Sequence, residues 1–563
     1  MALAISDSRR QTGAGALLDS PGAALEATGL DDLDGFVAAW HRHVARLADA
    51  LGWATPDVGV RAFPGGVSLA VAAPVDALYV AAELNEAAAR LAYAEVSGGE
   101  LDEAAVAVAE RLRGLVERDR DGALVALLAA AEARGVSALW DDEAVTLGLG
   151  AGGHTWHART LPEPEAVEWD ALHDVPVALI TGTNGKSTTV RMLAAMATAA
   201  GHVPGVSTTD YVAVGSDVVE TGDFSGPMGA RAALRDRRTT VGLLEVARGG
   251  LLRRGVPLRR ATVACVTNVA DDHLGEYGIE NVAALARAKF VVAKGLVPGG
   301  TLVLSADDAP TCAEADRQAD ALAACRIVWV SLDPEHPRLA GSPLAAAVVD
   351  GHVAVRRDGE WTPLVAVAEM PSAMGGAAQH NVRNAISAVA TAAALGLPDE
   401  ALAAGLRGFR GDASDNPGRS NVWHVRGATV VVDYAHNAHG LAALVAFAGH
   451  LPARRRLILL SAAGDRPDAD IVRIADAALL FSADRTHLAD LPGYLRGRPP
   501  GDVPAVMTRA FIDAGVDPGT IAAFEDPAEA TRAALAWAEP GDVLLLAVLS
   551  HRDAVAALIR AAT

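Results

Sequence analysis

The stretch Gly182-Thr183-Asn184-Gly185-Lys186-Ser187-Thr188 carries the strongest chemical signal in the chain. It follows an apolar run, VALIT, and opens an amphipathic one with Val190, Leu193, Met196 and Ala197 on one face and Gly201 as its stop. Glycines let a backbone wrap closely enough for its N–H groups, and the start of the helix, to face phosphate oxygens. Lys186 is placed to bridge β- and γ-phosphates, and Ser187 or Thr188 to offer a hydroxyl to Mg²⁺. The glycines are closer together than in the common GxxxxGK[ST] loop, yet strand, loop and helix stand in the order a nucleotide site needs.

Further polar residues fall where apolar strands end, the usual place of ligand contact in open parallel sheets. Glu245 closes VGLLE and precedes Ala247-Arg248-Gly249-Gly250. Thr267-Asn268 ends VACVTN, and Asp271-Asp272-His273-Leu274-Gly275 follows within a turn. Mg²⁺ keeps several waters, so one carboxylate, one hydroxyl and the phosphates suffice for it. Ser187, Glu245 and His273 are the metal candidates, and with the loop they point to a metal–ATP site. Taken singly, Glu245 could serve a helix N-terminus and His273 a surface loop. Cys265 sits inside an apolar strand and reads as core. The Arg run RRGVPLRR at 253–260 reads as a solvated face, with anionic substrate binding as the alternative.

The elements that must hold these residues are legible as patterns. From Val175, short Val/Ile/Leu runs alternate with helical segments, which argues for a parallel sheet covered on both faces. A second such series follows the break DASDNPGRS, so a boundary falls near Pro417. Ahead of the sheet, helical patterns dominate, with LDGFVAAWHRHVARLADALGW and LDEAAVAVAERLRGLVERD the clearest. The expected organisation is a flexible lead over 1–28, an N-terminal α+β domain over 29–170, a central phosphate-loop domain with a parallel sheet over 171–416, and a C-terminal Rossmann-like domain over 417–563. The length of 563 residues suits several domains, and 48 Lys+Arg against 69 Asp+Glu give a net charge of −21. That charge disfavours nucleic acid and anionic membranes as partners. Three cysteines without a CxxC pair leave no disulfide framework, and neither a signal peptide nor a membrane span is read, so a reducing cytoplasm is the expectation.

Several separated motifs then agree in order. TGTNGKST, strand-end Glu245, Asn268 with Asp272-His273, Lys289 in ALARAKFVV, His380-Asn381-Val382-Arg383-Asn384, Pro417-Gly418-Arg419 and Asp433-Tyr434-Ala435-His436-Asn437 resemble the series found in Mur ligases, over about 175–563. STTDYV, ETGDFSGP, LLEVARGGLLRRG, NPGRSN, GDRPDADI and LRGRPPGDV are similar to the Mur-like half of cyanophycin synthetases. In those enzymes an ATP-grasp module precedes the Mur-like part. Residues 124–162 resemble the start of that module, and the remainder does not fit ahead of residue 175. A chain of this type that has lost the ATP-grasp core is therefore expected. Two departures stand out: Asn437-Ala438 where Asn-Pro is usual, and Ser305-Ala306-Asp307-Asp308 where the family has Asn-Ala-Asp-Asp.

The resemblance implies an ATP- and Mg²⁺-dependent ligase joining an amine to an amino-acid or peptide carboxylate through an acyl phosphate, with ADP and phosphate as products. It implies catalytic roles for Lys186, Glu245, His273 and Lys289, the last often carbamylated in this family. Nucleotide contacts are implied for Gly182 to Thr188, for Asn381 and Asn384 beside adenine, and for Arg419, Asp433, Tyr434 and His436 from a closing C-terminal domain. Small-molecule substrates, a homo-oligomer, and hinge motion near 411–418 are expected. The alternatives are a catalytically idle nucleotide-binding subunit and a glutamate-adding ligase of the poly-γ-glutamate or folate type.

Overall fold

The computed structural model describes residues 2–98 and 104–563. Its centre is an eleven-stranded sheet. Seven neighbouring strands are parallel, in the order Pro204–Ser207, Val241–Glu245, Val177–Thr181, Ala261–Val266, Leu296–Ser305, Arg326–Ser331 and Leu344–Val349. VALIT is buried at every position because helices cover both faces, so its apolar residues need not alternate with polar ones. The strand order reverses beside this strand, and a crevice opens at its carboxyl end, where the loop 182–185 leaves it. Both edges of the sheet are antiparallel: Tyr211–Val214 with Asp217–Thr221 on one side, His352–Arg357 with Glu360–Ala366 on the other. The sequence reading expected a parallel sheet and did not register these hairpins, whose short turns leave no room for a crossover helix.

The C-terminal sheet has six strands, an antiparallel hairpin (Asn421–Val425, Ala428–Asp433) leading into a parallel series. The helices Ala438–Gly449, Asp468–Leu479 and Asp502–Asp513 pack on one face, and Pro527–Trp537 and Arg552–Ala562 on the other. The doubly wound arrangement places Asp433, at the end of a strand, toward the central domain.

The N-terminal unit is a four-stranded antiparallel sheet (Ala4–Gln11, Gly22–Thr28, Gly66–Ala72, Val58–Phe63) with the helices Leu33–Ala50, Leu78–Ser97 and Ala105–Asp119 against it. The helical stretch read from Leu101 begins in residues that lie outside the described ones. Trp40 and Leu69 meet in the core, and buried Asn85 links them by accepting from Trp40 Nε1 and donating to the Leu69 carbonyl, each at 3.0 Å. Residues 138–157 form a three-stranded patch beside the central sheet. Among the described residues no helix is long and apolar enough to cross a membrane.

Two expectations are corrected here. Residues 4–28 are no flexible lead, because they supply two strands of the N-terminal sheet. The Arg run is no solvated face either. The carbonyl of Arg254 accepts from the N–H groups of Thr12 and Gly13, its guanidinium donates to the Arg10 carbonyl, and Arg253 pairs with Asp7. The N-terminal unit is docked on this run.

Arg9 and Glu26 pair at 3.1 Å with both side chains under a tenth exposed, and Glu26 also accepts from Ser68 Oγ. Arg9→Met strands a buried carboxylate and is expected to cost about 3–5 kcal/mol in urea unfolding of the full chain. Adding Glu26→Gln should recover most of that loss.

Candidate active site

The phosphate loop is braced by the neighbouring strand end. Asn184 N–H donates to Asn268 Oδ1 (3.0 Å), and its carbonyl accepts from Thr267 Oγ1 (2.7 Å) and Asn268 Nδ2 (3.0 Å). The close fit explains the glycines: a Cβ at Gly182 would meet Thr267 Oγ1 at 1.9 Å, and one at Gly185 would meet Asn384 Oδ1 at 2.1 Å. Gly182 and Gly185 also hold φ of +147° and +83°. The helix Lys186–Ala199 starts with no side-chain cap, so its first N–H groups are free for an anion. Lys186 Nζ lies over the loop, donating to the Thr183 carbonyl at 2.9 Å.

Ser187 Oγ donates to Glu245 Oε2 at 2.6 Å, and Thr209 N–H donates to the same oxygen at 3.2 Å. The other oxygen, Oε1, is buried without a partner. An orphaned buried carboxylate oxygen beside a loop hydroxyl is a donor set that suits a hard divalent cation, so the residues present fit Mg²⁺. His273 belongs to a second group. Its Nδ1 bonds Glu276 Oε1 at 2.9 Å, and Asp272, His273 and His436 bring ligand atoms within 4.8 Å of one another. Burial alone would raise the Asp272 carboxyl, but His436, His273 and Arg466 hold it well below the usual range.

Lys289 is 3% exposed and donates to the Gly182 carbonyl at 2.8 Å. Burial, with Lys186 nearby, pushes its ammonium well below the ordinary lysine range. Lys289 therefore lies inside the domain, its amine facing the loop.

Lys186, Ser187 and Glu245 share a cleft of about 350 Å³ with Asn381, Asn384, Arg419, Asp433, Tyr434 and His436. Gly182, His273 and Lys289 flank that cleft rather than line it. A roomier groove of about 780 Å³ lies between the N-terminal unit and the helix Val282–Phe290, away from the loop. Within the cleft Asn381 donates to the Ser372 carbonyl (2.9 Å) and accepts from Asn384 (3.3 Å), so both amides are engaged in bracing. Asp433 Oδ2 accepts from Ser420 N–H (2.6 Å) and Oγ (3.0 Å), and burial lifts the Asp433 carboxyl despite Arg419. The guanidinium groups of Arg419 and Arg552 lie 5.6 and 5.0 Å from the centre of the Tyr434 ring. At the two departures from the family series Ala438 opens a helix and Ser305 lines the cleft, while the retained residues beside them are caps. Asn437 caps the helix Ala438–Gly449 through Gly440 N–H, and Asp308 caps Ala309–Arg317 through Thr311 N–H.

Sequence reasoning missed Asp210, the central acid of the closed interface. Arg191 lies 2.6 Å from one of its oxygens and Arg552 2.7 Å from the other, with Arg419 at 3.5 Å. It follows the strand end at Ser207, so the rule that selected Glu245 would also have found it. Arg466, 3.1 Å from Asp272, was missed as well. Burial works to raise the Asp210 carboxyl, yet Arg419, Arg191 and Arg552 outweigh it and hold the group at about 2. A depressed folded value contributes stability that is complete above the unfolded 3.8 and is lost as pH falls toward 2. Asp210→Asn should therefore cost about 2 kcal/mol in urea unfolding at pH 6, and the gap should narrow at pH 3.

Comparison with known proteins agrees with this geometry. Residues 180–392 match the Mur ligase middle domain, and 418–547 match the domain described as Mur ligase, glutamate ligase domain. Cyanophycin synthetase of Trichormus variabilis is 35% identical over 349 residues, covering 61% of this chain and 38% of that protein. UDP-N-acetylmuramoyl-L-alanyl-D-glutamate–2,6-diaminopimelate ligase of Geobacter metallireducens is 29% identical over 401 residues, 67% of this chain and 74% of that one. The chain thus spans well under half the length of the cyanophycin synthetase it matches. A bifunctional folylpolyglutamate synthase/dihydrofolate synthase, solved with Mn, AMPPNP and L-glutamate bound, shares the fold with a TM-score of 0.51 at 20% identity, over 68% of this chain and 89% of that one. The loop, the strand-end acid and the facing C-terminal sheet fall inside two consecutive matched domains, so this chain carries the middle and C-terminal domains of a Mur ligase.

Proposed function

We propose that the chain is an ATP-dependent amide ligase, forming a peptide or isopeptide bond from an amino-acid or peptide carboxylate. The observation that carries the reading is Glu245. Its Oε1 is buried and unpartnered while Oε2 holds the loop Ser187, an arrangement that costs stability unless a cation–phosphate group completes it. Ser187 and Glu245 would hold one Mg²⁺ and His273, grouped with Asp272 and His436, a second; bound there, the cation would neutralise phosphate charge.

In the proposed reaction a carboxylate oxygen attacks the γ-phosphorus of ATP, the bond to the β–γ bridging oxygen breaks, and ADP leaves. The amine nitrogen then attacks the acyl carbon and phosphate departs. The chain's own work is positioning and charge compensation. The helix N–H groups and Lys186 would hold the phosphates, and Arg419 would approach them from the hinge. Asp433 would take the ribose, and Asn381 and Asn384 would shape the adenine end. Lys289, a buried amine whose charged form is disfavoured by burial and by Lys186, is suited to react with CO₂, lose a proton and become a carbamate, which would place oxygen ligands beside the loop. The two Mur-type domains would perform one type of addition. Retention of Lys186, Glu245, His273 and Lys289 together supports a working ligase over an idle subunit.

Incubation with ATP, Mg²⁺ and a pool of amino acids and dipeptides should release phosphate and yield a condensed product by mass spectrometry. Lys186→Met and Glu245→Gln should each lower turnover about 100-fold or more. Tight ATP binding with no turnover across the pool would sink the ligase reading. Depleting CO₂ should lower kcat in the unmodified protein, and added bicarbonate should restore it.

A further inference from the structure

His380 is the second residue of the helix Gln379–Ala394 and faces the nucleotide cleft. No role has fallen to it so far, but its hydrogen bonds define its chemistry. The Ser420 N–H donates to Asp433 Oδ2, which makes that oxygen an acceptor. Ser420 Oγ stands 3.0 Å from the same oxygen, so the hydroxyl proton must point there as well. The hydroxyl is left with lone pairs only, and His380 Nε2, 3.0 Å away, must be the donor. An Nε2–H tautomer follows, which turns Nδ1 into an acceptor. Nδ1 is buried and has no partner.

The surroundings of this lone pair suit a flat heterocycle. Ala435, Ala443 and Leu444 supply apolar lining to the cleft, and the Phe447 ring stands edge-on to His380 with centroids 6.3 Å apart. The neighbouring Asn381 already spends its amide on Ser372 and Asn384. Ser420, locked at φ +53° and 4% exposed, belongs to the segment joining the two domains, so the chain His380–Ser420–Asp433 spans their junction. Burial, with Arg383 nearby, lowers the imidazolium to about 4, so the ring is neutral in the working range.

We infer that His380 reads the nucleobase, its Nδ1 accepting a hydrogen from the exocyclic amine of adenine. Guanine or hypoxanthine presents a carbonyl oxygen at that position, and two acceptors would face each other. Ser420 is the positioning residue that sets the tautomer. Because Ser420 also anchors Asp433, recognition of base and of ribose is coupled through one hydroxyl. The inference rests on the reading of the cleft as an ATP site.

The test is calorimetric binding of β,γ-methylene analogues of ATP, GTP and purine riboside triphosphate, with tripolyphosphate as a probe of the phosphate end alone. The unmodified protein should prefer the adenine analogue over both others by about 10- to 100-fold. His380→Ala should bring adenine and the unsubstituted purine to near-equal affinity while leaving tripolyphosphate binding unchanged. Ser420→Ala, which touches no base, should narrow the preference in part. Equal binding of adenine and unsubstituted purine by the unmodified protein overturns the inference without any variant, as does full discrimination by His380→Ala. Binding and turnover of ATP without base preference would remove this inference and leave the ligase standing. Failure of every nucleotide to bind would remove both.

Discussion

Asn184 is held from every side, and the geometry of the cleft follows from that. Its backbone N–H and carbonyl are taken by Asn268 and Thr267, which follow the end of the next strand of the same sheet. Its side-chain amide pairs reciprocally with Asn437 at 3.2 and 3.3 Å and meets His439 at 2.9 Å, both from the C-terminal domain. One residue is thus the point at which the loop is fixed to its own sheet and the second domain is fixed to the loop. A cradle held this way needs little reorganisation when charge arrives, which is how positioning and electrostatic compensation become effective.

Two acids extend the same junction. Asp210 gathers Arg419 from the hinge and Arg552 from the last helix, while Asp272 gathers His436 and Arg466. Each sits on the central domain and draws its partners largely from beyond it, so the closed form is stabilised by charge at two points on either side of the loop. The overall net charge of −21 hides this, because the cations that matter are few, partly buried and already paired. Acidity at the scale of the whole molecule coexists with a cleft rimmed by arginine and lysine.

The phosphate loop, Glu245 and the strand-end turns were legible because each is a local pattern: glycine spacing, an acid closing an apolar run, a helix starting on cue. Legibility faded where function depends on distant pairings. The strands within the expected lead over 1–28 were hidden because Ala4–Gln11 is an edge strand whose polar Arg9 is buried against Glu26 and the distant Leu252 carbonyl. The Arg run was misread for the converse reason, since its partners lie some 240 residues earlier. Asn381 and Asn384 were recognised as motif residues, but nothing in their spacing showed that their amides bond each other. His380 was read as a motif residue without a role, because its meaning lies in a proton position set by Ser420, forty residues on.

The docking of the N-terminal unit has one more consequence. Arg61 donates to the Tyr277 carbonyl, Arg9 lies over the Tyr277 ring from the same unit, and Arg248 reaches across to the His273 carbonyl and to Glu276. Tyr277 and His273 both hold positive φ, so this turn keeps its shape through outside grips rather than by its own preference. The first domain is therefore a fixed arm resting on the floor of the site. One carbonyl and one ring tie that arm to the turn that carries His273.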